Sequence, residues 1–217
     1  MNVDINKDMK YDYSLYLVTD RTCISAPTLC EAVELAISGG CTMVQLREKE
    51  ISSRDFYHLA IEVKCVTDHH RIPLIINNRV DIALAVGAAG VHVGQNDLPA
   101  SVARKIIGKD MLLGVSVCTV NEAVQAQKDG ADYLGVGAMF PTRTKSDARL
   151  VSLHELRAIR QAVSIPIVVI GGINRENAAL FPGMGIDGLA VISAILAQPD
   201  IRQAASELKG IFTMRRT

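Results

Sequence analysis

The chain has 217 residues, a length that fits one domain, and Lys plus Arg balance Asp plus Glu at 23 each. That balance excludes a broad basic footprint for nucleic acid or an acidic membrane, so any anion binding must be local. With 49% hydrophobic residues and only 4% aromatics, the core has to come from Val, Ile, Leu and Ala, the residues that fill buried parallel strands and their helices.

Short apolar runs alternate with amphipathic stretches along the chain. Ser14 to Thr19 reads as a first strand. A helix should follow that opens near Pro27 and stops at Gly39-Gly40, in line with Pro at helix starts and Gly past their ends. The second strand is expected over Thr42 to Leu46, with a helix over Ser53 to His69. The third runs from Leu74 to Ile76, with a helix over Val80 to Val86. The fourth covers Gly90 to Val93, then a helix from Pro99 to Ile107. The fifth covers Leu112 to Val115, then a helix over Val120 to Asp129. The sixth is Tyr133 to Val136; a long loop and a helix over Leu153 to Val163 follow. The seventh is Pro166 to Ile170, with a helix from Asn174, and the eighth is Gly188 to Val191, with a terminal helix after Asp200. Eight strand–helix units with strands apolar on both faces point to an α/β fold, a single (β/α)8 barrel over residues 13–217. An open doubly wound sheet is the alternative, but no GxGxxG follows the first strand. Residues 1–12 read as a loose arm, and the tail after Phe212 is expected to fray.

Five cysteines (Cys23, Cys30, Cys41, Cys65 and Cys118) are odd in number and lack CxxC spacing, which fits free thiols in a reducing cytoplasm. Met1 to Asp12 holds no apolar signal core, and no stretch approaches the roughly 20 apolar residues of a membrane span. No membrane or nucleic-acid partner is expected. Apolar helix faces leave a homo-oligomer open.

In such a barrel, chemistry gathers at the C-terminal ends of the strands. These ends read Thr19-Asp20-Arg21, then Gln45-Leu46-Arg47-Glu48-Lys49, Asn77-Asn78-Arg79, and His92 with Gly94, Gln95 and Asp97. Ser116 ends the fifth strand, and Phe140 to Lys145 follow the sixth. Gly171-Gly172 and Ile192-Ser193 end the last two. Gln45 and Arg47 alternate at strand spacing, so both can face the barrel mouth. An inward Arg calls for an anionic partner. Gly171-Gly172 with Ile192-Ser193 fits a monophosphate held by backbone N–H groups and a short helix start, with Ser193 as cap and hydroxyl donor; an ordinary turn and cap would look the same. Arg47, Lys49 and Lys145, beside Asp97 and Asn78, suit a polyphosphate held with Mg2+; a rim ion pair such as Asp97 with Arg47 is the other reading. Two anionic substrates and a departing pyrophosphate would follow, with cations and metal stabilising the leaving group. The loop from Gly137 to Val151 has the length of a lid that would carry Lys145 to that group. His92 reads as a core or supporting histidine rather than a base. His58, His69, His70 and His154 read as surface residues, and Cys118 as an inert thiol.

The segments QLREK (45–49), NNRVD (77–81), GVHVGQNDLP (90–99), GVS (114–116), GAMFPTRTKSDA (137–148), IGGI (170–173) and AVISAI (190–195) together resemble the thiamine phosphate synthase family in order and spacing, over about Leu15 to Ile195. The resemblance implies coupling of 4-amino-2-methyl-5-pyrimidinylmethyl diphosphate to 4-methyl-5-(2-phosphoethyl)thiazole, giving thiamine phosphate and pyrophosphate by Mg2+-assisted dissociative substitution. It implies that Gln45, Arg47, Lys49, Asn77, Ser116 and Lys145 bind the pyrimidine diphosphate. Of these, Arg47, Lys49, Ser116 and Lys145 would act in catalysis. Asn78 and Asp97 would be Mg2+ ligands. Thr142, Arg143, Thr144, Gly172, Ile192 and Ser193 would hold the thiazole phosphate. Asn78 departs from the family, which often carries Asp there; an amide oxygen can coordinate Mg2+ but adds no charge. Three rivals share the fold. A thiazole tautomerase would place a His after the sixth strand, where this chain has Ala138. A phosphate-ligand sensor could lose the cation cluster, which is intact. A phosphosugar isomerase or aldolase needs an inward base or Schiff-base Lys, and only His92 offers itself.

Overall fold

The structure, a computed structural model, describes residues 11–142 and 149–214. The eight strands are β1 (Leu15–Val18), β2 (Met43–Leu46), β3 (Leu74–Asn77), β4 (Gly90–Val93), β5 (Leu112–Val117), β6 (Tyr133–Val136), β7 (Ile167–Ile170) and β8 (Gly188–Val191). Every pair is parallel, neighbours follow chain order, and β8 closes on β1, so the chain is a (β/α)8 barrel and the open sheet is excluded. The helices are α1 (Leu29–Ser38), α2 (Ser53–His69), α3 (Val80–Val86), α4 (Ala100–Ile107), α5 (Val120–Lys128), α6 (Leu153–Ala162), α7 (Ser193–Leu196) and α8 (Ile201–Thr213).

Helix starts are written in the sequence. Thr28, Ser52, Thr119, Ser152 and Asp200 each accept the backbone N–H three residues on. Each such cap contributes about 1 kcal/mol. Pro27 therefore lies one residue before the cap of α1 rather than inside the helix.

Two cores result from the period of two along each strand. Leu15, Leu17, Val44, Leu46, Ile76, Val91, Leu113 and Leu134 point outward into the layer shared with the helices. Tyr16, Val18, Met43, Ile75, Leu112, Tyr133, Val168 and Ala190 fill the barrel interior. Burying one such Leu or Ile contributes roughly 1.5–3 kcal/mol. At the N-terminal end, Asp12 accepts from the Ser14 N–H at 2.8 Å and pairs with Lys209 of α8 at 3.1 Å. Among the described residues no helix is long and apolar enough to cross a membrane.

The helix expected from Asn174 does not form. Only a 3-10 turn, Ala178–Leu180, lies between β7 and β8. The Asn174 side chain accepts from the N–H groups of Glu176 and Asn177, and Asn177 Oδ1 accepts from the Asn174 N–H. These side-chain bonds compete with a helical ladder. Pro182, with Gly183 and Gly185 at positive φ, ends any continuation.

Candidate active site

At the C-terminal end of β1 and β2, Arg47 stands beside Asp20, with Nη1 and Oδ2 3.6 Å apart and both side chains about 15% exposed (16% and 14%). Asp20 is itself fixed: its Oδ1 accepts from the Thr22 N–H at 3.1 Å and the Thr22 hydroxyl at 2.6 Å. The Arg47 N–H donates to Thr19 Oγ1 at 3.0 Å. Arg21 donates twice to Glu48 Oε2, at 3.0 and 2.8 Å. The inward arginine thus has its anionic partner, and that partner is Asp20 rather than Asp97. Sequence reasoning placed Asp20 on a strand end but gave it no role; an acid following strand one, next to an arginine following strand two, was the available signal. Lys49 is exposed on the same rim.

Asn77 ends β3, and its amide donates to the His92 carbonyl at 3.4 Å; the Asn78 N–H donates to the same oxygen at 2.8 Å. Asn78 adopts φ 62°, a left-handed conformation that Asn and Asp tolerate best among side-chain-bearing residues. Beyond β4, Asp97 Oδ2 accepts from the Gly94 N–H at 2.7 Å, which pulls the loop into a tight turn. Gln95 Nε2 donates to the Ser116 carbonyl at 2.7 Å. Among the described residues no three His, Cys, Asp or Glu side chains come together as a metal site. One carboxylate and one amide oxygen suit Mg2+, a hard cation that takes few protein ligands and completes its shell with water and substrate phosphates.

Gln45, buried at 5% exposure, donates through Nε2 to Tyr16 Oη at 2.8 Å. Ser116 Oγ lies 2.8 Å from His92 Nε2. His92 is buried and bonded through both ring nitrogens, the other to Tyr133 Oη at 3.1 Å. Its burial fits the core half of the reading of His92 as a core or supporting histidine.

Across the barrel, Gly172 has φ 64°, and a Cβ there would meet Phe140 Cβ and the Pro141 carbonyl at 2.7 Å. Glycine lets the loop after β7 lie directly on the loop after β6. Asn177 Nδ2 holds the Gly172 carbonyl at 3.0 Å. Ile192, not Ser193, is the N-cap of α7, with no side-chain cap bond, so Ser193 is the first helical residue and does not act as the cap. A serine at N1 keeps its N–H and hydroxyl at the helix start, and the first intrahelical donor is Ile195. Thr142 is the last residue described before the gap; Arg143, Thr144 and Lys145, and with them the core of the expected lid, lie outside the described residues.

The described groups among these sit on one end of one closed barrel. A profile of the family described as thiamine monophosphate synthase matches residues 15–195. The chain belongs to the thiamine monophosphate synthase family. It is 65% identical to the thiamine-phosphate synthase of Clostridium beijerinckii over 203 residues, covering 94% of this chain and 97% of the relative. The thiamine-phosphate synthase of Ruminiclostridium cellulolyticum is 62% identical over the same share of each chain. The solved thiamine phosphate pyrophosphorylase of Pyrococcus furiosus superposes with a TM-score of 0.87 at 40% identity, covering 94% of this chain and 97% of that one. As a thiamine monophosphate synthase family member, the chain is an enzyme of thiamine biosynthesis, a transferase, and the resemblance read from its strand ends is borne out.

Proposed function

We propose that the enzyme couples 4-amino-2-methyl-5-pyrimidinylmethyl diphosphate to 4-methyl-5-(2-phosphoethyl)thiazole, releasing pyrophosphate and thiamine phosphate. The observation that carries this reading is that the groups suited to hold anions fall in two separate places on one rim. Arg47, Asn78 and Asp97 stand over β2 to β4, and Gly172 and Ser193 stand over β7 and β8. A single-substrate isomerase would need only one of them.

In this reading Gln45, Asn77 and Ser116 hold the pyrimidine diphosphate, with Arg47, Lys49 and Lys145 on its phosphates. Thr142, Arg143, Thr144, Gly172, Ile192 and Ser193 hold the thiazole phosphate. The C–O bond between the methylene carbon and the diphosphate breaks, and its electron pair leaves with pyrophosphate. The thiazole ring nitrogen then gives its lone pair to the methylene carbon, forming the new C–N bond. No general base is required, which fits a barrel whose one inward histidine among the described residues, His92, is engaged at both nitrogens. Arg47, Lys49 and Lys145 stabilise the charge that grows on the leaving group. Asp20 keeps Arg47 oriented before substrate arrives, so little reorganisation remains for the reaction itself. Asn78 and Asp97 would hold Mg2+, which when bound neutralises charge on the diphosphate oxygens. All five cysteines are free thiols, which fits a cytoplasmic enzyme.

Incubating the folded protein with both heterocycles and Mg2+ should yield thiamine phosphate and pyrophosphate in equal amounts. Folded protein that makes neither product would refute the reading.

A further inference from the structure

A continuous line of hydrogen bonds crosses the barrel interior beneath the rim. Gln45 Nε2 meets Tyr16 Oη at 2.8 Å, Tyr16 Oη meets Tyr133 Oη at 2.8 Å, Tyr133 Oη meets His92 Nδ1 at 3.1 Å, and His92 Nε2 meets Ser116 Oγ at 2.8 Å. Tyr16 and Tyr133 are fully buried, and Gln45 and His92 nearly so. The rings also touch: Tyr16 with Tyr133 at 5.9 Å between centroids, and His92 with Tyr133 at 5.5 Å. The strands beside them are cut to fit. A Cβ at Gly114 of β5 would collide with the Tyr133 ring and His92 Nδ1, and one at Gly135 of β6 would come within 3.1 Å of His92 Cε1.

Such a chain has a direction. With the Gln45 amide donating to Tyr16, the Tyr16 hydroxyl donates to Tyr133, Tyr133 donates to His92 Nδ1, and His92 donates from Nε2 to Ser116 Oγ. Reversing one link alone sets two donors or two acceptors against each other across a buried contact, which a dry interior penalises. The chain therefore turns as a whole or not at all. In the direction set by Gln45, Ser116 Oγ is an acceptor within the chain, and its own O–H is left to donate at the barrel mouth, where Ser116 is partly exposed.

We propose that Tyr16, Tyr133 and His92 are positioning residues, which together hold Ser116 as a hydrogen-bond donor and Gln45 in its matching orientation toward the ring of the aminopyrimidine substrate. The proposal rests on the reading that Gln45 and Ser116 hold that substrate. Tyr16 and Tyr133 are fully buried, so they act through the two residues at the chain's ends. A polar aromatic chain inside an otherwise apolar barrel is thereby given a purpose beyond filling space.

The test is a double-variant cycle on steady-state kinetics, with thermal melts confirming fold at the assay temperature. Tyr133→Phe keeps the ring and deletes the central hydroxyl. It should raise KM for the pyrimidine diphosphate roughly 10-fold, the loss expected for one buried hydrogen bond, and leave KM for the thiazole phosphate unchanged. Ser116→Ala should raise the same KM. In the Ser116→Ala background, Tyr133→Phe should add less than about twofold, because residues acting through one chain are non-additive. Tyr16→Phe breaks the same chain and carries the same test if Tyr133→Phe melts too low. A KM unmoved by Ser116→Ala overturns the pyrimidine reading and this proposal with it. A KM raised by Ser116→Ala but unmoved by either Tyr→Phe change overturns the proposal alone. So does a double variant whose effects multiply, or a Tyr→Phe change that raises both substrates' KM equally.

Discussion

Asp20 divides its two carboxylate oxygens between Thr22 and Arg47. One oxygen closes the 3-10 turn Arg21–Cys23, and the other stands 3.6 Å from the Arg47 guanidinium. The turn after β1 thus fixes a cation in the loop that follows β2.

Arg47→Ala should lower kcat/KM about 1,000-fold, the scale of losing one preorganised charge-stabilising group, with the melting temperature little changed. Lys145→Ala should act in the same direction. Asp20→Asn keeps an oxygen for the turn but removes the charge. It should change stability by less than about 1 kcal/mol, as partly exposed ion pairs do, and raise KM for the diphosphate substrate. Steady-state kinetics with melts reads all three; turnover of wild-type size in Arg47→Ala would remove it from the leaving-group site.

Asn78→Asp is compatible with the backbone, since Asp also accepts the φ of 62° held there. The added charge should lower the Mg2+ concentration for half-maximal rate several-fold, on the order of 10-fold for a gain of about 1.4 kcal/mol. Asn78→Ala should lose metal affinity and cost about 1 kcal/mol or more in backbone strain. A Mg2+ titration identical in Asn78→Asp and the parent would exclude position 78 from the metal shell.

Gly172→Ala should act on the other substrate. Its Cβ would press on Phe140 and the Pro141 carbonyl at 2.7 Å, which displaces the loops after β6 and β7 against each other. The expected result is about 1–3 kcal/mol of destabilisation and a raised KM for the thiazole phosphate, with KM for the diphosphate held. The reverse pattern of KM changes would misplace the monophosphate site.

Alkali should unfold the barrel from inside. Burial pushes the Cys41 thiol up to about 12, and burial also raises Tyr13, Tyr16 and Tyr133 above their ordinary values. A raised folded-state value means the unfolded chain loses its proton first. The stability these groups carry is therefore whole below their unfolded values, about 8.5 for Cys and 10 for Tyr. It is lost as pH rises from there toward the folded values, by up to about 1.4 kcal/mol per pH unit for each group. The melting temperature should fall steeply above pH 9, and Cys41→Ala should flatten the first part of that fall. A melting temperature constant from pH 8 to 11 would contradict the burial account.

The strands were legible because each is a short apolar run between turn residues, and Leu29–Ser38 was legible through Pro27 before it and Gly39-Gly40 after it; the Thr28 and Thr119 caps of Leu29–Ser38 and Val120–Lys128 were further signals the sequence held. The helix after β7 was misread because Asn174 and Asn177 look like a helix start yet bond each other's backbone instead. Ser193 was misread as a cap by one residue, since a backbone bend at Ile192 carries no side-chain signature. The Tyr16–Tyr133 contact joins residues 117 apart in sequence and lay hidden for a different reason: an inward Tyr on a strand reads as core. The signal that could have shown it is the pair Gly114 and Gly135, interior glycines on neighbouring strands that leave room for large polar rings.

The division of the rim into two anion sites is tested most directly by a crystal structure with Mg2+, pyrophosphate and thiamine phosphate bound together. The account predicts pyrophosphate and metal beside Arg47, Asn78 and Asp97, and the monophosphate at Gly172 and Ser193. Both phosphate groups on the same loops, or the monophosphate beside Arg47, would contradict it.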